Sequence, residues 1–250
     1  MAQGGPGKVI YFDDFTGGAE AALAATNAPP LDIGNSTFEL VGQGIADTDS
    51  GGVLQPAPMS SILLTATNEL EHAAGLNSRS VCFDVGLQGL IVMEARIQQA
   101  ALTTKAVFVG FSDVQTDLAI LQGAIISGAT ATLTLSASDL VGFLMASELT
   151  DAADWHGVYN GGSAAGDTVA DNLDFGTDAV AATWQILRLE LEIDGTVRWY
   201  VDNILQQTIV GAVSTTVDLA FNLICEEKVT GNASVEVDYV RIIANRDWTV

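Results

Sequence analysis

Hydrophobic and polar positions alternate with a period of two along much of the chain, most cleanly over Trp184–Ile193, which reads WQILRLELEI. Leu187, Leu189, Leu191 and Ile193 fall on one side, and Arg188, Glu190 and Glu192 on the other. Successive side chains of a strand point to opposite faces, so this pattern predicts a strand with one buried and one wet face. Asp194-Gly195 follows as a tight hairpin turn, because glycine takes positive φ without a Cβ clash. Thr196–Val201 returns, with Val197, Trp199 and Val201 alternating against Arg198 and Tyr200. Asp202-Asn203 turns the chain again, and Ile204–Val210, Val217–Glu226 and Ser234–Ala244 complete the series.

Further strands are predicted at Lys8–Phe15, Thr37–Gln43, Ser60–Ala66, Ser80–Val85, Leu90–Gln98, Ala106–Ser112, Thr130–Ser136, Leu140–Ala146 and Trp155–Tyr159. About fourteen short strands joined by turns predict an all-β antiparallel sandwich. Ala19–Ala25 is Ala-rich and allows one or two helical turns before Pro29-Pro30. Gly161–Thr183, with Asp167, Asp171, Asp174 and Asp178 among Gly and Ala, reads as a solvated loop over one end of the sandwich. No Pro/Ser-rich linker and no fixed-period repeat divides the chain, so residues 8–250 read as one domain behind a flexible segment, residues 1–7.

Composition narrows the function. The 250 residues carry 31 Asp+Glu against 9 Lys+Arg, a formal net charge of −22. With 48% hydrophobic and only 16% charged residues, this is not a disordered acidic chain. So few cations argue against a nucleic-acid surface and against docking on anionic membranes. They leave Ca²⁺ or a basic protein surface as partners. Met1–Lys8 lacks the basic and apolar regions of a secretory signal, and no apolar run is long enough to span a membrane. Cys82 and Cys225 lie in predicted strands with no metal-ligand spacing, and read as buried free thiols.

The C-terminal hairpins carry a resemblance. Trp184 to Asp202, WQILRLELEIDGTVRWYVD, resembles the W-x-x-L-R-I-E-x-x-x-D-G-x-V-x-F-Y-V-D-G hairpin of concanavalin A-like domains, the jelly rolls of laminarinases and laminin-G-type modules. Val235–Ile242, VEVDYVRI, is similar to the final strand of that group, and Tyr11–Phe15, YFDDF, to its first. The resemblance covers about the last 65 residues well and implies a concanavalin A-like jelly-roll sandwich of two antiparallel sheets, one concave and one convex. Ser138–Met145, SDLVGFLM, with Asp151–Trp155 and Gly157-Val158, resembles a segment of structural proteins of tailed bacteriophages that share this fold.

Laminarinases cleave β-glucans with two glutamates in E-x-D-x-E or E-x-D-x-x-E, alternating so that the carboxylates share a cleft, as a retaining mechanism requires. That motif is absent. Glu236-Val237-Asp238 begins correctly, but Val240 and Arg241 stand at both positions for the second glutamate. Glu190 and Glu192 lead only to a turn aspartate, and Glu94 is alone in Met93–Arg96. His72 reads as a surface residue and His156 as part of a packed or surface pair with Trp155. Gly161–Ala165, GGSAA, lacks the closing glycine of a nucleophile elbow. No catalytic residue is assigned. Concave faces of this fold bind sugars through exposed aromatics, which implies Trp155 and Tyr159 as glycan contacts, whereas Trp199 belongs to the core. The resemblance also implies a structural Ca²⁺ between first and last strands, with Asp14 and Asp238 as carboxylate ligands completed by carbonyls and water.

The expected function is therefore a non-enzymatic virion structural protein of a tailed bacteriophage: a capsid decoration (cement) protein on the outer capsid surface, made in the host cytoplasm. Its expected partners are the major capsid protein and itself, as a homotrimer or homodimer. A carbohydrate-binding module on a tail or fibre is the alternative, and a divergent glycoside hydrolase the third reading.

Overall fold

Strands pack because their apolar faces need cover, and this chain supplies two sheets that cover each other. A computed structural model describes residues 7–16, 22–24, 31–33, 36–43, 51–55, 60–67, 70–117, 119–228 and 231–246. The strands in chain order are β1 (Lys8–Asp13), β2 (Ala22–Ala24), β3 (Leu31–Asp32), β4 (Glu39–Val41), β5 (Gly51–Gln55), β6 (Ser61–Thr67) and β7 (Ala73–Asn77). Then come β8 (Phe83–Asp84), β9 (Ile91–Gln98), β10 (Lys105–Ser112), β11 (Ile126–Ala129), β12 (Thr132–Leu135), β13 (Leu140–Ala146) and β14 (Asp154–Asn160). The last are β15 (Asp174–Asp178), β16 (Trp184–Leu191), β17 (Val197–Val201), β18 (Ile204–Ile209), β19 (Asp218–Glu227) and β20 (Asn232–Asn245). Two single-turn helices, α1 (Val85–Gln88) and α2 (Ala170–Leu173), complete the list.

The first sheet has nine strands in the order β18-β17-β16-β9-β20-β6-β5-β2, with β1 also paired to β20. The second has the order β15-β14-β13-β10-β19-β7-β4-β3, with β8 paired to β19. All pairings in both are antiparallel. β11 and β12 form a separate hairpin.

In the first sheet, alternation decides everything. β9 and β16 alternate buried and half-buried along their lengths, so Met93, Ala95, Leu187 and Leu189 face inward while Glu94, Arg96, Arg188 and Glu190 face water. Ile193 does not join the buried set, because the strand ends at Leu191 and leaves it exposed in the turn. Between the sheets, Phe111 packs edge-on against Phe83 and Phe221, and Tyr11 of the first sheet reaches Phe38 and Phe83 of the second. Trp199 is fully buried and its indole N–H donates to the Gly142 carbonyl across the sandwich at 2.9 Å. Gly142 and Gly110 face each other in adjacent strands, where the backbones leave no room for a Cβ.

β10, β13 and β19 behave differently: nearly every residue in them is buried on both faces. Val107, Val109 and Phe111 point between the sheets, so Ala106, Phe108 and Ser112 must point out of the sandwich, beside Ile224 and Leu144 in register. Phe108, Ile224 and Leu144 are nonetheless inaccessible. A segment described at 113–117 and 119–137, including the β11–β12 hairpin, covers them, helped by Leu149 and by Ala170 and Leu173 of α2. It is stitched down by backbone hydrogen bonds, among them Gln43 to Ala119, Thr130 to Glu148 and Ala170 to Ala131.

Several expectations change. Ala22–Ala24 is a strand and not a helical turn; the rest of that stretch, like residues 1–6, lies outside the described residues. Gly161–Thr183 is not a solvated loop but carries α2 and the edge strand β15. His72 is buried and not on the surface, and its backbone carbonyl accepts the Glu227 N–H at 2.9 Å. Cys225 is buried and free, with its thiol pushed up to about 12 by burial, whereas Cys82 is half-buried and meets the Tyr11 hydroxyl at 3.3 Å.

The Trp199 bond spans both sheets, so it generates a direct test. Trp199→Phe keeps a ring in the site and removes the donor. It is expected to lower unfolding stability by about 1–3 kcal/mol in urea titration, the cost of a lost buried partner plus a small void.

Candidate functional site

The predicted glycan contacts lie in the interior. Trp155 on β14 is 0% exposed, packed edge-on against Phe143, with its indole N–H toward the Gln185 carbonyl oxygen at 3.4 Å. Tyr159 is 8% exposed and packs on Trp199. The structure thus corrects the expectation that the two flank an open surface. Alternation places both on the inner face of β14, a position that a Gly-rich neighbourhood does not reveal.

The metal pair fares similarly. β1 does pair with β20, in register from Lys8–Asn245 to Asp13–Val240. Asp14 then caps its own turn, accepting from the Thr16 N–H and hydroxyl. Asp238 sits at a bulge in β20 and holds the Arg96 guanidinium at 2.6 Å. A cation already neutralises Asp238, so these two residues do not fit a shared Ca²⁺. Among the described residues no group of three His, Cys, Asp or Glu side chains is placed to hold a metal.

The outer face of the second sheet, where a groove would lie, is sealed. Its polar residues satisfy one another: Asn77 donates to Asn222 at 2.7 Å, and Asn222 to the Ser112 hydroxyl at 3.0 Å. Glu226 projects from the same face and is fully buried. Its carboxylate accepts the N–H groups of Leu121 and Gln122 in the covering segment and pairs with Lys228 at 2.6 Å. Lys228 also donates to the Gln122 side chain at 2.9 Å. Burial pushes the Glu226 carboxyl up, with Lys228 opposing. Glu226 is thus a pin for the cover, and Lys228 links it to the Glu148 carboxylate at 3.6 Å.

The outer face of the first sheet is open and ordered by charge. Arg188 pairs with Glu190 and lies over the Tyr200 ring, whose hydroxyl donates to Glu190 at 3.0 Å. Arg198 pairs with Glu192, Arg96 stacks on Trp184, and Tyr239 donates to Glu94 at 2.7 Å. Beside this lattice lies a cleft of about 280 Å³ lined by Lys8, Leu90, Val92, Glu94, Arg188, Arg241 and Ile243. A smaller polar cleft of about 180 Å³ opens at one end of the sandwich between Gly161–Ser163, Asp194 and Gly211–Thr216.

One carboxylate cluster was not legible in the sequence. Asp154 lies opposite Asp178, and His156 opposite Asp174, where edge strand β15 joins β14. Only the pairing of β15 brings these aspartates together. Burial, a hydrogen bond with Asp178 and the charges of Asp174 and Asp178 push the Asp154 carboxyl up to about 7. Burial pulls the His156 imidazole down from its ordinary value.

No protein-family model matches the chain, and no curated protein matches it in sequence. Solved structures do share its fold. The carbohydrate recognition domain of Emp47p has a TM-score of 0.57 at 13% identity, covering 94% of this chain and 98% of that one. A Bacillus licheniformis β-glucanase has a TM-score of 0.52 at 12% identity, covering 86% and 95%. A protein of unknown function from Shewanella oneidensis MR-1, SO2946, has a TM-score of 0.54 at 10% identity, covering 98% and 89%. The chain is therefore an all-β sandwich with the concanavalin A-like jelly-roll fold, as its C-terminal hairpins implied. No helix among the described residues is long and apolar enough to cross a membrane.

The Asp154 cluster predicts a pH dependence. A folded-state value raised to about 7 means the native protein holds a proton that the unfolded chain has released. Its contribution is complete below the ordinary carboxyl value of 3.8 and is lost as pH rises through about 7. His156 acts in the opposite sense below its ordinary 6.5, so the comparison belongs above that pH. The carboxyl is only partly buried, so solvent screening leaves about 1 kcal/mol. Asp154→Asn is expected to raise Tm at pH 8.5 by about 2–4 °C and to flatten the fall in Tm seen in the wild type from pH 6.5 to 8.5.

Proposed function

We propose that this chain is a non-enzymatic structural protein that works by docking, in its most concrete form a capsid decoration protein of a tailed bacteriophage particle. One observation carries the non-enzymatic reading: the outer face of the second sheet is filled by the chain's own segment 113–137, and Glu226 there is spent as a pin. On the open face of the first sheet Glu94, Glu190, Glu192 and Asp238 are engaged by arginine or tyrosine partners. The tailed-phage context rests on the resemblance of Ser138–Met145, Asp151–Trp155 and Gly157-Val158. In this reading a stiff sandwich bridges neighbouring subunits of the major capsid protein and adds contact area against internal pressure. It acts as a homodimer or homotrimer on local symmetry axes.

A second reading is favoured by a specific feature. The polar end cleft offers the Asp194 carboxylate beside Ser163, Ser214, Thr215 and Thr216, in a volume suited to one sugar ring. The Emp47p neighbour is by name a carbohydrate recognition domain. A carbohydrate-binding module on a tail or fibre would use that cleft and not Trp155.

Quantitative mass spectrometry of purified particles separates the two readings. Hundreds of copies per particle are expected for a shell protein. A handful of copies, with glycan binding that Thr216→Trp abolishes, would replace the first reading by the second. Absence from particles would overturn the structural role.

A further inference from the structure

The positive charge of this chain is placed on one side. Of its nine Lys and Arg residues, Lys8, Arg96, Arg188, Arg198 and Arg241 lie on strands of the first sheet, and Arg246 just past its last strand. Lys105 and Lys228 are buried. The outer face of the first sheet therefore approaches neutrality, and the rest of the molecule holds the excess of carboxylates.

Within that face, the guanidiniums of Arg96, Arg188 and Arg198 each have a carboxylate partner. Arg241 is exposed at the 280 Å³ cleft and makes no ion pair among the described residues. Arg188 and Arg241 flank Glu94 in register from either side, and Lys8 closes the far end with its ammonium on the Asn245 side-chain oxygen at 2.5 Å. Glu94 is engaged by the Tyr239 hydroxyl. The floor between these cations is aliphatic, formed by Leu90, Val92 and Ile243, and Leu90 is 45% exposed.

We propose that this cleft is a docking site for an acidic polypeptide segment, one that places an aliphatic side chain on Leu90, Val92 and Ile243 and a neighbouring carboxylate on Arg241. Charge complementarity selects the occupant. A carboxylate finds an unpaired, planar, bidentate donor here, and finds repulsion over most of the remaining surface. The aliphatic floor favours an aliphatic side chain over a saccharide, and the exposed Phe12 ring, opposite Arg241 in register, extends that apolar surface. Exposed charge pairs are individually weak, so one contact of this kind is salt-sensitive, and stable attachment requires repetition of it. The inference stands apart from the particle reading, since it concerns the chemistry of the partner and not its location.

Fluorescence anisotropy with a labelled eight-residue peptide of alternating glutamate and leucine, in low salt, tests it. Saturable binding is expected, weakened about tenfold or more by Arg241→Glu and by added salt. A peptide with glutamine in place of glutamate is expected not to bind. Arg79→Glu makes the same change in net charge at a site paired with Asp32 and Glu39, away from the cleft, and is expected to leave binding within about twofold. Arg241 is exposed, so its variant is expected to fold, as circular dichroism will check. No binding by the wild type, equal loss in both variants, or tighter binding of an oligogalacturonate probe than of the peptide would each overturn the proposal.

Discussion

The constraint that organises this molecule is that its second sheet is apolar on both faces. Phe108, Leu144, Val158 and Ile224 point out of the sandwich and are inaccessible. Burying each contributes about 1.5–3 kcal/mol, so leaving the row bare would cancel most of the roughly 5–15 kcal/mol by which a domain is stable. The sheet must therefore be covered, and segment 113–137 does it. Burial fixes that a cover exists, and Glu226 fixes where it sits, since its carboxylate takes two backbone N–H groups of the cover and the Lys228 ammonium. A buried ion pair of this kind adds little net stability, but removing one partner costs about 3–5 kcal/mol, so it specifies one docked position.

Function follows from where the cover leaves the surface open. On the filled face Glu226 is committed to the cover, and the Asp154 carboxyl to its neighbours Asp174 and Asp178. The open face of the first sheet holds Arg188 and Arg198 in a ladder with glutamates and tyrosines. Such a ladder leaves these side chains half-buried and engaged with one another.

The sequence made the first sheet legible because each of its central strands has one wet face. WQILRLEL predicts its own orientation, and the expected burial of Leu187, Leu189, Leu191 and Trp199 is what the structure has. The second sheet hides its orientation. In Leu140–Ala146 every position is apolar, so periodicity locates the strand but not which residues look outward. Trp155 was misplaced for that reason, and β7, AAGLN, was missed because small residues carry no strand signal. In the sequence the cover shows only as a strand at Thr130–Ser136 and a stretch between strands. Its partner residue Glu226 looked like any strand carboxylate, since only the pairing of β19 against β10 places it beneath residues 121 and 122.

The most direct measurement of a permanently sealed second sheet is residue-resolved hydrogen exchange. The account predicts that the Leu121 and Gln122 amides exchange as slowly as those of β10, and that Glu226→Gln accelerates them while the first sheet stays protected. Fast exchange of residues 119–137 in the wild type, with β10 still protected, would contradict it: the cover would then be a lid over an accessible groove.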